Sequence, residues 1–131
     1  MEYKKLGNTA IKVSPFVMGC WSVGGDYFGS VEDTNSIRCI KTYLEHGINT
    51  FDTAEVYGMG RAEKVLGEAL KGTDRESVVV FSKVWPLHYG KKEMEEASKL
   101  KEAGNGLSGC LFFTLSTAGR NVNGIGYGEH K

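Results

Sequence analysis

The sequence predicts an α/β fold in which helices cover a parallel sheet. Three observations predict it. Apolar runs of strand length alternate with helix-length segments, in the order hairpin and then β-α-β-α-β-α. The run from Val78 to Phe81 is apolar on both faces, as a buried parallel strand requires. No GxGxxG or P-loop opens a helix: Gly24-Gly25 and Gly58-x-Gly60 are loose glycine pairs, which argues against a doubly wound nucleotide fold.

Each element has its own warrant. Tyr3 to Leu6, a Gly-Asn turn and Ile11 to Val13 read as a leading hairpin. Phe16 to Trp21 is an apolar run of strand length that ends in the loop SVGGDYFGS. Ser30 with Asp33 predicts a capping box for a helix whose apolar face carries Ile37, Cys39, Ile40 and Leu44 and which Gly47 ends after His46. Residues 48–54, INTFDTA, form the second strand. RAEKVLGEALKG is a helix with Val65, Leu66, Ala69 and Leu70 toward the core, Ser77 to Val84 is the third strand, and KKEMEEASKLKEA is a charged third helix.

Composition excludes several classes. The 131 residues carry 16 basic and 16 acidic side chains, so a nucleic-acid partner is not expected. No run of about 18 apolar residues occurs, and no membrane span is expected. The start, MEYKKLGNTAIKVS, lacks a signal-peptide core, and Cys20, Cys39 and Cys110 form no CxxC pair. Reduced thiols and a cytoplasmic location are the expectation. The histidines at 46, 88 and 130 have no ligand spacing, so no metal site is expected.

In a (β/α)8 barrel, function sits at the C-terminal ends of the strands. Trp21 and Ser22, Asp52 and Tyr57, and Lys83 all fall at such ends. Neighbouring strands lie about 4.8 Å apart, so Asp52 and Lys83 can face one another. A carboxylate beside an ammonium keeps both charged, and an ammonium beside a phenol favours proton loss from it. That combination suits proton donation to an oxygen gaining negative charge, as a carbonyl oxygen does on accepting hydride. Taken singly, each residue has a plainer role: a turn or cap for Asp52, packing for Tyr57, solvation for Lys83.

KLGNTAIKVSPFVMGCWSVGG, FDTAEVYGMGRAEKVLGEAL and VVVFSKVWP resemble successive signature segments of the aldo-keto reductase family, over roughly residues 3–98. Ala62 departs from the pattern, which often has serine before the glutamate. The resemblance implies the N-terminal portion of a (β/α)8 TIM barrel with a leading β-hairpin, truncated, because a whole barrel takes about 250 residues. It implies reduction of a small carbonyl substrate, an aldehyde or ketone, with NADPH. By the same resemblance Tyr57 is the general acid, helped by Asp52 and Lys83, while Gly19, Cys20 and Trp21 lie beside the nicotinamide. A small core residue is an equally good reading of Cys20. The family's fourth catalytic group, a histidine ending the fourth strand, has no counterpart at 46, 88 or 130. Most family contacts to the cofactor's pyrophosphate and adenosine come from later strands, so binding of NADPH by this chain is doubtful and activity is not expected.

The text changes near residue 100. Residues 1–103 hold 11 glycines and 29 charged residues, whereas residues 104–131 hold 7 glycines and only Arg120, Glu129 and Lys131 as charges. Codons for residues 99–117, read displaced by one nucleotide, permit SLKRLGMDYLDVFFLHFP, which resembles the family's missing segment. The histidine arises where the codons of Thr114 and Leu115 meet. Residues 1–98 therefore read as a barrel half and residues 99–131 as an out-of-frame tail, within which LSGCLFFTL could still pair as a fourth strand. An unclosed sheet leaves edges that favour self-association. The alternative is a non-catalytic half-barrel that serves in binding or assembly.

Overall fold

A computed structural model describes residues 1–26, 28–84, 92 and, as a strand, 111–114. Apart from Lys92 and residues 111–114, the predicted third helix and the tail, with His88, Cys110 and His130, lie outside the described residues.

Strands β1 (Lys4–Lys5) and β2 (Lys12–Val13) form the antiparallel hairpin. A parallel sheet then follows in the order β3 (Met18–Gly19), β4 (Thr50–Asp52), β5 (Val79–Val84) and β6 (Leu111–Thr114). Between β3 and β4 run α1 (Trp21–Gly24) and α2 (Asp33–Glu45); α3 (Arg61–Ala69) links β4 to β5 through a 3-10 turn at Arg75–Ser77. Sequential parallel pairing with helical crossovers is the start of a barrel-type winding. The four-stranded sheet is open, and the described residues form no closed barrel.

The period-2 pleat sorts β5. Val80, Ser82 and Val84 are buried, whereas Phe81 and Lys83 on the other face are only partly covered. Val80 joins Phe51, Ile40, Val65 and Leu66 in one core under α2 and α3. Burying a side chain of this size contributes about 1.5–3 kcal/mol. The core residues predicted for α3, Val65, Leu66, Ala69 and Leu70, are all buried.

The strand bottoms are stitched by Asn49. Its Oδ1 accepts the Ser14 amide at 2.8 Å, and its Nδ2 donates to the carbonyls of Lys12 (3.0 Å) and Ser77 (3.3 Å). The hairpin is thereby tied to the end of the sheet opposite Asp52 and Lys83.

Three local expectations are corrected. The capping box does not form: Glu32 is the N-cap of α2 and makes no side-chain capping bond. Cys39 is exposed, because Ser36, Ile40, Tyr43 and Leu44 supply the inward stripe and Cys39 stands about 100° from Ile40 around the helix. Phe16 and Val17 are exposed, since β3 pairs with β4 over Met18 and Gly19 only. Gly47 does end α2, at φ +79°, where a side chain would be strained.

Candidate active site

The parallel register brings the strand ends together. Gly19 pairs with Asp52, and Asp52 pairs with Phe81, two residues before Lys83. The ladder continues beyond the strands: Cys20 N–H donates to the Asp52 carbonyl at 2.8 Å, and Glu55 N–H donates to the Lys83 carbonyl at 3.0 Å. Lys83 and Phe81 share the face of β5 that the helices leave uncovered, so the Lys83 side chain can reach the rim.

Lys83 is the hub. Its ammonium donates to both Asp52 carboxylate oxygens at 2.7 Å, to the Thr53 carbonyl at 3.0 Å and to the Tyr57 hydroxyl oxygen at 3.3 Å. The Lys83 side chain is only 16% exposed and that of Asp52 35%, so the pair is partly shielded from water. Lys83 Nζ also lies 5.1 Å from the Tyr57 ring centroid. An ammonium has no acceptor, so the Tyr57 O–H cannot point back at Lys83 and is left to donate elsewhere.

Trp21, the first residue of α1, stacks on Tyr57 with centroids 6.2 Å apart and an interplanar angle of 28°. Gly19 leaves open space beside the rim: a Cβ there would meet nothing within 4 Å. Cys20 points the other way. It is fully buried, and its thiol is pushed up to about 12, first by burial and then by the Asp52 charge, with Lys83 opposing. Its Sγ faces the Met18 carbonyl at 3.8 Å. Cys20 is therefore a protonated core residue beneath the rim.

The structure thus brings Asp52, Tyr57 and Lys83 into one hydrogen-bonded group, with Gly19 and Trp21 alongside. His46 caps the C-terminus of α2, where its Nδ1 lies 2.8 Å from the Thr42 carbonyl oxygen. No group of three or more potential metal ligands occurs among the described residues. No helix among them is long and apolar enough to cross a membrane.

The sequence reading missed Glu63. It is 2% exposed on the first turn of α3, and its Oε1 accepts the Ser82 hydroxyl at 2.5 Å. This bond joins α3, which follows the Tyr57 turn, to the residue preceding Lys83. Its spacing, three residues before Leu66 and seven before Leu70, already sets it on the inward stripe of α3; its charge hides that placement until Ser82 is seen as its partner.

A parallel sheet thus presents a Tyr–Lys–Asp group at the C-terminal ends of its strands. The aldo/keto reductase family model matches residues 15–104, and the chain belongs to that family. It is 34% identical over 82 residues to aldo-keto reductase YhdN of Bacillus subtilis, covering 63% of this chain and 25% of the relative. It is 42% identical over 87 residues to a putative voltage-gated potassium channel subunit beta of Schizosaccharomyces pombe, covering 65% of this chain and 25% of that one. Among solved structures, the aldo-keto reductase from Klebsiella pneumoniae in complex with NADPH superposes with a TM-score of 0.61 at 33% identity, over 70% of this chain and 31% of that one. The chain spans about a quarter of the length of the curated relatives it matches.

Proposed function

We propose that the rim of this chain is the proton-donating half of an NADPH-dependent carbonyl reductase site, with Tyr57 as the general acid. The observation that carries this reading is Lys83, whose one ammonium reaches the carboxylate of Asp52 and the hydroxyl oxygen of Tyr57 together. When bound, NADPH would supply hydride to the carbonyl carbon. As the C–H bond forms and the oxygen gains charge, Tyr57 gives that oxygen its proton and the product is an alcohol. Lys83 stabilises the phenolate left behind, and Asp52 holds Lys83 in place through both carboxylate oxygens. Gly19 and Trp21 fit the nicotinamide end, because among the described residues one leaves open space and the other is a flat indole that stays 46% exposed while stacked on Tyr57. Cys20 supports this floor from inside the core.

We further infer that residues 99–131 are an out-of-frame translation and that residues 1–98 are the family portion. Two observations support the inference. The family match stops at residue 104, close to the change in composition. Strand β6 stands beside β5, where the displaced reading would lay its segment DVFFLH. A chain translated in the displaced frame from codon 99 regains the histidine and should oxidise NADPH when given an aldehyde, followed at 340 nm. Tyr57→Phe in that chain should lower turnover by about 100-fold or more. Equal turnover by the two would remove Tyr57 from the role. The 131-residue chain itself should show no turnover.

The second reading, assembly without catalysis, is favoured by one feature: the described sheet is open at β3 and at β6.

A further inference from the structure

We propose that Asp26 and Arg61 are positioning residues, a latch that holds the Tyr57 turn in register with Lys83. The mechanistic consequence rests on the reading of Tyr57 as the acid; the latch itself rests on contacts.

Tyr57 belongs to neither a strand nor a helix. The three residues after it, Gly58, Met59 and Gly60, have φ values of +61°, +52° and +89°. For a methionine this left-handed conformation is strained, and it persists only where surroundings impose it. Three external contacts impose it. The Asp26 carboxylate accepts the Gly58 N–H at 2.6 Å. Gly24, the last residue of α1, backs directly onto the turn: a Cβ on Gly24 would lie 2.7 Å from both Gly58 N and the Tyr57 carbonyl carbon. Arg61, just after the turn, reaches back over the same segment. Its Nη1 donates to the Gly24 carbonyl at 3.3 Å, and its Nη2 donates to the Val31 carbonyl and to Asp33 at 2.6 Å.

The segment from Gly24 to Asp33 is therefore held near both ends by Arg61 and close to its start by Asp26. It carries Phe28, whose ring meets Trp21 edge-on at 5.4 Å and 87°. Trp21 in turn stacks on Tyr57. The latch grips the phenol from two directions, through the amide that follows it and through the ring stacked on it. The Arg61 and Asp33 side chains are 35% and 55% exposed, so this ion pair contributes little to global stability. The contacts act instead on where Tyr57 stands.

The test uses the 131-residue chain. Amide exchange at Gly58 is measured by NMR, and nitration of Tyr57 by tetranitromethane is measured by mass spectrometry. Tyr43, packed against the core, is the internal control. Asp26→Ala should raise Gly58 exchange at least tenfold and Tyr57 nitration severalfold, with Tyr43 unchanged and the thermal midpoint within a few degrees. Asp26→Asn, which keeps an oxygen acceptor, should restore most of the Gly58 protection. Arg61→Lys keeps the charge but not the fork, and should raise Tyr57 nitration over that of Tyr43 even if Asp26→Ala does not fold. Unchanged Gly58 and Tyr57, or Tyr57 and Tyr43 rising together, would overturn the latch. These readouts do not depend on Tyr57 being the acid, which the turnover of the displaced-frame chain tests separately.

Discussion

Lys83 and Cys20 stand close together at the strand ends, one partly open at the rim and the other buried beneath it. Lys83 donates to Asp52 at 2.7 Å, to the Thr53 carbonyl at 3.0 Å and to the Tyr57 hydroxyl oxygen at 3.3 Å. Cys20 has no such partners. Burial and the same Asp52 charge push its thiol up to about 12 from a usual value near 9. Because the folded state holds that proton more tightly than the unfolded chain, the contribution is complete below pH 9. It is lost as pH rises from about 9 toward 12, with a slope approaching about 1.4 kcal/mol per pH unit. Iodoacetamide at pH 8 should label exposed Cys39 quickly and Cys20 only after denaturation. Equal labelling in the folded chain would show that Cys20 is not in the core.

At the scale of elements, α3 joins the Tyr57 turn to the strand that bears Lys83. The Glu63–Ser82 bond fixes that join inside the core. Glu63→Ala should lower stability by about 1–3 kcal/mol in urea unfolding, and Glu63→Gln should recover more than half of the loss. A midpoint unchanged in both would assign the bond no part in docking α3. The sequence made Asp52, Tyr57 and Lys83 legible because parallel strands deliver their C-terminal residues to one edge whatever the packing details. It also made the order of hairpin, strands, α2 and α3 legible through apolar spacing, whereas α1 lies over residues that read as a strand end and a loop. Glu63–Ser82, Asp26–Gly58 and the Asn49 stitch were not legible, since their partners lie 19, 32 and up to 37 residues apart with no local signature. Cys39 was misplaced because an apolar side chain beside a helical stripe reads the same as one inside it. The Ser30–Asp33 box failed because α2 begins two residues later than the motif suggests.

For the whole molecule, the family places these elements in the first part of a (β/α)8 barrel, and the sheet described here is open. Among the described residues, the partly covered face of β5 and the outer edges of β3 and β6 offer pairing surfaces. Light scattering after size-exclusion chromatography should therefore give a mass above that of one chain. A monodisperse monomer with a cooperative melt would contradict this expectation. We propose that the rim belongs to a reductase whose next catalytic element is encoded one nucleotide out of register. Sequencing the coding DNA beyond codon 98 tests it most directly. The displaced frame should read SLKRLGMDYLDVFFLHFP and continue open; stop codons or unrelated residues there would contradict it.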